Sequence, residues 1–189
     1  MNRLLRLAAA IDAVNRGIGR ASAWLILACV LISAATATVR YLFDWGSNGL
    51  LEIQWFLFGL VFLLCAAWTL QEGGHVRIDI VSSRLPPRAR LWIDIAGGLL
   101  FLLPMCLLIA YDAWGYFLLS YGQNEASPNP GGLLWWPMKL VIPVVFALLA
   151  AQGLAEIIKA AASLAGARPM PARRGAHEWR PSSPPTWRR

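Results

Sequence analysis

Four long runs of uncharged, mostly apolar residues divide this chain, and they limit its fold more than any other feature. Two of them hold 19 residues each, one between Arg20 and Arg40 and one between Glu52 and Glu72. A helix rises about 1.5 Å per residue, so it needs about 20 apolar residues to cross roughly 30 Å of hydrocarbon. Both runs therefore predict membrane-spanning helices.

The other two runs are shorter and have less distinct ends. The third, residues 95–111, continues beyond Asp112 through further aromatic residues, and the fourth, residues 140–155, follows Lys139. The fourth run spans a membrane if Lys139 extends its ammonium group towards the surface. We therefore predict an all-α integral membrane protein with four transmembrane helices, at about residues 21–39, 53–71, 95–115 and 134–155.

The composition excludes most soluble and cofactor-dependent classes. The chain is 58% hydrophobic and 14% charged, whereas soluble domains average about 45–50% apolar and about 25% charged residues. Its three cysteines lie far apart in apolar runs, without the spacing of a disulfide scaffold or a metal site. Both histidines, His75 and His177, lie outside the predicted spans, which argues against a haem-binding anchor. We expect no enzyme activity, no cofactor and no metal.

Basic residues give the orientation, because cytoplasmic segments of membrane proteins are enriched in Lys and Arg. Of the 17 basic residues, 15 precede the first span, separate the second from the third, or follow the fourth. Only Arg40 and Lys139 lie on the opposite side. We therefore predict that both termini are cytoplasmic, and that the net charge of +7 reflects topology and membrane lipids rather than nucleic acid.

The two ends of the chain differ from the spans. Residues 1–20 carry apolar side chains at helical spacing and arginines elsewhere, which predicts an amphipathic interfacial helix before the first span; the apolar positions are Leu4, Leu7, Ile11, Val14 and Ile18. Residues 161–189 form the C-terminal segment, which is rich in proline and arginine and poor in aliphatic residues beyond Gly166. Such a segment cannot bury enough apolar surface to fold, so we predict a disordered cytoplasmic tail.

The connections between spans hold the candidate partner-binding residues. Around the first outer connection, Arg40 and Glu52 form a possible charge pair next to Gln54 and Trp55, which can fix helix depth or meet a partner. The cytoplasmic connection alternates apolar and polar residues, which favours a strand-like or interfacial segment; its polar members include His75, Arg77 and Asp79.

The second outer loop, residues 122–132, has prolines and paired glycines that favour turns. Glu125 and Ser127 could there meet a docking protein. Alternatively, Glu125 pairs with Lys139 and only stabilises the loop.

The same residues resemble the small permease subunit, DctQ type, of tripartite ATP-independent periplasmic (TRAP) transporters. The resemblance covers roughly residues 20–160 and includes an E-x-x-W motif from Glu52 to Trp55 and a G-H-V-x-I-D motif from Gly74 to Asp79. It implies a four-helix subunit of the bacterial cytoplasmic (inner) membrane that braces a large permease. The large permease would move as an elevator, driven by a sodium gradient, and would receive its solute from a periplasmic substrate-binding protein.

Two other classes stay open at this point. One is a membrane anchor of a redox complex, which the missing intramembrane histidines disfavour. The other is a stand-alone small channel or exporter, which would have to form a pore by self-association.

Overall fold

The computed structural model describes residues 2–73, 85–167 and 169. Its helices are α1 (Asn2–Phe43), α2 (Asn48–Glu72), α3 (Pro87–Gly97), a π-helical turn (Gly98–Leu102), α4 (Leu103–Gly122) and α5 (Trp136–Leu164). The described residues form no strand, apart from one isolated bridge between Ala126 and Leu134. Four helical segments are long and apolar enough to cross a membrane. The predicted all-α membrane fold is thereby confirmed.

The third span is one continuous helical run from Pro87 to Gly122, 36 residues long. Its π-helical turn lies just before Pro104, which lacks an N–H and whose ring would clash with the preceding turn of a regular α-helix. The N–H of Leu103 donates to the carbonyl of Gly98, five residues back. The wider turn accommodates the proline without breaking the span.

Helix α1 is 42 residues long, which corresponds to about 63 Å, twice the length that a span requires. The segment predicted as a separate interfacial helix is the first half of this one helix. Its apolar residues Leu4, Leu7 and Val14 remain about half exposed, and its polar face contacts other helices, as described below.

Helix α5 is the centre of the bundle, since it packs against all the other helices, whereas α4 packs mainly on α5. The buried side chains are mostly small or polar, and the large apolar side chains lie outside. This is the reverse of a soluble core. It follows from the membrane, because lipid accepts large apolar side chains while close helix packing and polar groups belong inside.

Helix α1 shows the packing pattern most clearly. Small or polar residues recur every seven positions along one face, and those in the first half of the helix are fully buried; the series is Ala8, Asn15, Ser22, Cys29 and Thr36. A seven-residue spacing keeps side chains on one side of a helix. This face, and not the apolar stripe of Leu4 and Leu7, is the one that meets the bundle.

Gly19 permits the close contact between α1 and α2. A Cβ atom at Gly19 would lie 2.6 Å from the ring of Trp68, whereas one at Gly17 would meet no atom within 4 Å. We predict that Gly19→Ala lowers stability in detergent by about 1–3 kcal/mol through overpacking. Gly17→Ala, the matched control, should be neutral or stabilising, because alanine favours helix by about 1 kcal/mol over glycine. Thermal unfolding followed by tryptophan fluorescence measures both; equal effects would contradict the contact.

Candidate functional site

The carboxylate of Glu52 binds the loop between α4 and α5 to the outer end of α2. Glu52 is only 4% exposed. Its Oε1 accepts hydrogen bonds from the Ser127 hydroxyl and from Asn129 Nδ2, the latter at 3.0 Å. Its Oε2 accepts the Leu133 N–H at 2.8 Å. Three donors from the loop thus converge on a side chain that is distant in sequence, which fixes the loop to the helix.

Glycines allow the loop to approach α2 this closely. A Cβ atom at Gly132 would collide with the Ser127 side chain and lie 2.9 Å from Glu52 Oε1. A Cβ atom at Gly49, in the first turn of α2, would lie 2.8 Å from the Gly131 carbonyl oxygen. Gly131 itself has φ +72°, a backbone conformation that favours glycine. These positions therefore require residues without side chains.

A second carboxylate joins the loop to α5. Glu125 forms an ion pair with Lys139, whose ammonium also lies 3.9 Å from the centre of the Tyr116 ring on α4. The hydrogen bond from Lys139 is the main cause that lowers the pKa of Glu125 below its ordinary value. We call Glu52, Ser127, Asn129, Glu125 and Lys139 together the outer clasp.

A second polar cluster joins α1 to α5 at the opposite end of the bundle. Gln152 is fully buried; its amide oxygen accepts from Asn15 Nδ2 at 2.7 Å, and its Nε2 donates to Asp12 Oδ1 at 2.8 Å. Lys159 binds both oxygens of Asp12 at 3.0 Å and Glu156 Oε1 at 2.6 Å. We call these five residues the inner clasp.

Helix α2 links the two clasps and shows their spacing. Gln71, in the amide orientation that satisfies both of its polar atoms, donates to the Asp12 carbonyl oxygen at 3.3 Å and accepts from Arg16 Nη2 at 2.9 Å. It therefore adjoins the inner clasp, while Glu52 belongs to the outer one. Glu52 and Gln71 are 19 positions apart, which corresponds to about 28 Å of helix, close to the thickness of the hydrocarbon layer. The two clasps therefore lie near opposite ends of α2.

The residues predicted around the first outer connection have separate surroundings. Arg40 is exposed and makes no ion pair with Glu52 or with any other residue that the structure describes. Gln54 donates to Leu50 O at 3.1 Å and to Thr36 Oγ1 at 3.4 Å, which joins α2 to α1. Trp55 is 74% exposed and faces away from the bundle.

The residues predicted in the second outer loop come together, but towards the protein interior. The functional groups of Glu125 and Ser127 are bound to Lys139 and Glu52, as the alternative of a Glu125–Lys139 pair anticipated. Their availability to a docking protein stays a prediction. The three candidates of the cytoplasmic connection, His75, Arg77 and Asp79, lie outside the described residues, as do residues 170–189 of the tail.

The inner clasp was missed from the sequence, although two signals pointed to it. Asn15 belongs to the seven-residue series of small and polar residues on α1. Gln152, Glu156 and Lys159 lie three or four positions apart and so share one face of α5. What the two clasps can do chemically is hold helices in place by hydrogen bonds and ion pairs.

Comparison with known families identifies the chain. The family described as tripartite ATP-independent periplasmic transporters, DctQ component, matches residues 28–163. The chain belongs to this family. It is the small permease subunit of a TRAP transporter and a multi-pass membrane protein. The matched residues include the outer clasp and the α5 half of the inner clasp of this DctQ chain. Neither the search of curated proteins nor the search of solved structures found a significant match.

The Glu52 contacts of this DctQ chain predict a local effect. Glu52→Ala leaves the Ser127 hydroxyl, the Asn129 amide and the Leu133 N–H without their acceptor, so residues 123–135 should lose protection against amide hydrogen exchange. The exposed Asp44 is the control, since Asp44→Asn also removes a negative charge near the outer end of α1. Hydrogen exchange followed by mass spectrometry measures the amide protection of residues 123–135 in both variants. Unchanged protection of the loop in Glu52→Ala would show that the carboxylate does not hold it.

The Glu125–Lys139 pair predicts a pH dependence. A carboxyl group whose pKa is lowered in the folded state stabilises the protein above its ordinary pKa of about 4.3, and this contribution is lost as pH falls through the lowered value. The wild type should therefore melt at a higher temperature than Glu125→Gln at neutral pH, and the difference should shrink in acid. A difference that is the same at pH 7 and pH 3.5 would contradict the ion pair; both values are chosen to bracket the ordinary pKa.

Proposed function

We propose that this subunit is the stationary brace of its transporter, while a large elevator-type permease carries the solute. The observation that supports this proposal is how the buried polar groups are used. Half of the buried polar side chains that the structure describes belong to the two clasps, where each has a hydrogen-bond partner, and Gln71 adjoins the inner clasp; the clasp members are Asn15, Glu52, Lys139 and Gln152. Ser22, buried between the clasps, donates its hydroxyl to the Ile18 carbonyl of its own helix at 2.9 Å. Polar groups that are already occupied fix helices in place and offer little to a moving solute.

The transport reaction that we propose follows from family membership. A periplasmic substrate-binding protein delivers an organic solute to the large permease, and a sodium gradient drives uptake. This subunit catalyses no reaction and binds no cofactor. In this arrangement its contribution is mechanical, because a moving permease domain needs a rigid neighbour to move against.

We further propose that the outer clasp faces the periplasm of a bacterium and that both termini lie in the cytoplasm. The inner clasp lies at the end of the bundle where the basic residues concentrate, with Arg3, Arg6, Arg16 and Arg20 on α1 and Arg88 and Arg90 at the start of α3. Concentration of arginine on one side favours the cytoplasmic location of that side. The outer loop then lies on the side from which a binding protein would deliver the solute.

Reconstitution tests the proposed function. Proteoliposomes would contain the large permease with or without this subunit, and the external binding protein would carry the labelled solute that mass spectrometry identifies in it. Uptake should require both membrane subunits, the binding protein and an inward sodium gradient.

Liposomes with this subunit alone serve as the control and should show no uptake. Sodium-dependent uptake by this subunit alone would overturn the proposal. Full uptake by the permease without this subunit would do so as well.

A further inference from the structure

One acidic residue of the membrane-spanning helices differs from the clasp acids. Asp112, on α4, is exposed and forms no hydrogen bond or ion pair within the described ranges 2–73 and 85–167. Each carboxylate of the clasps, in contrast, has at least one donor. An unpaired carboxylate is costly only inside the membrane, so the position of Asp112 along the membrane-spanning helices matters.

The packing of the π-helical turn and α4 on α5 gives that position. Gly98 faces Ile157, Leu102 faces Gly153, and Tyr116 faces Lys139. These contacts define one antiparallel register, in which Asp112 stands opposite Pro143.

The contact between α2 and α5 allows the position of Asp112 to be compared with the two clasps. Gly59 faces Met138, and α2 runs parallel to α5, so Pro143 lies at the level of residue 64. That level is about 18 Å inward of Glu52 and about 10 Å outward of Gln71 along α2, and about 6 Å inward of Lys139 along α5. Asp112 therefore lies between the two clasps, about one helical turn inward of Lys139. Its side chain is shorter than those of Lys and Arg, which can extend towards a membrane surface.

The surroundings of Asp112 form an open surface that another helix could contact. Leu108 and Leu119, one and two turns away on the same side of α4, are 65% and 61% exposed. Gly115 lies between them, and a Cβ atom there would meet nothing within 4 Å. A glycine on an outer helix face permits close approach of a second helix in a membrane. We call these four residues the Asp112 face.

We propose that the Asp112 face is the docking surface for a membrane-spanning helix of the large permease, which places an arginine or lysine against Asp112. The proposal rests on the proposed function, which supplies a membrane partner. Charge complementarity selects the occupant, because a carboxylate at this depth is costly unless a cation or donor pairs with it. Lipid tails offer neither. A symmetric second copy of this chain would place two Asp112 carboxylates together, which is repulsive.

Charge reversal in the assembled complex tests the pairing. Asp112→Lys should reduce the amount of large permease that co-purifies with this subunit by about tenfold or more, as expected for a close charge pair turned repulsive. Glu72→Lys, an equal change of charge at the exposed inner end of α2, should leave co-purification unchanged. Melting of the isolated subunit should be the same for both variants, which separates docking from folding.

Photocrosslinking tests the location independently of the charge. A benzophenone amino acid at Leu108 or Leu119 should yield an adduct with the mass of this subunit plus the permease. The same probe at Phe62, an exposed residue of α2, provides a comparison from another face.

The outcomes separate this proposal from the function on which it rests. Wild-type co-purification with Asp112→Lys, adducts of two copies of this chain, or adducts with lipid alone from residues 108 and 119 would each overturn the docking face while transport by the complex still stands. Failure of the wild-type subunit to co-purify with any permease would overturn the proposed function itself. If one membrane-embedded Lys or Arg of the permease is changed to Asp and this restores co-purification with the Asp112→Lys subunit, that residue is the partner cation.

Discussion

The absence of water inside a membrane is the constraint on which the rest of this structure depends. Backbone N–H and C=O groups must then bond to one another, which leaves helices as the spanning elements. Side chains obey the same constraint. Half of the buried polar side chains that the structure describes belong to two clasps at opposite ends of the bundle, where ion pairs and hydrogen bonds join the helices. Between the clasps the helices meet through small residues, and large apolar side chains such as Phe58 and Phe101 face outwards.

The four spans could be predicted from the sequence, and so could the Glu125–Lys139 pair as one alternative, but the other contacts of the clasps could not. Runs of about 20 apolar residues have one physical solution in a membrane, so the four helices could be predicted from composition and spacing alone. The partners of Glu52 could not, because they lie 75 to 81 residues away, and nothing local distinguishes them from solvated loop residues. Asp12 and Lys159 are 147 residues apart. Only the packed helices bring them together.

The amphipathic pattern of the first 20 residues illustrates a second limit. Its apolar stripe and its polar face were both visible in the sequence, and the stripe suggested a helix lying on the membrane surface. The structure continues the helix into the span and gives Asp12 and Asn15 partners on α5. A period of 3.6 residues reveals that a helix has two faces. It does not reveal which face meets lipid and which meets protein, because buried amides and carboxylates are as compatible with the pattern as solvated ones.

The E-x-x-W motif gains a physical reason from the outer clasp. Its glutamate holds the loop through three donors, and this contact requires Gly132 to lack a side chain. Its tryptophan is largely exposed and contributes little to the bundle, so the glutamate binds the loop whereas the tryptophan faces away from the protein.

The hydrogen-bond partners of the acidic side chains also distinguish Asp112. Each clasp carboxylate has a donor within the fold, whereas Asp112, between the clasps and near the open position Gly115, has none among the residues that the structure describes. A membrane-spanning helix of the large permease can supply the cationic partner that we propose for Asp112.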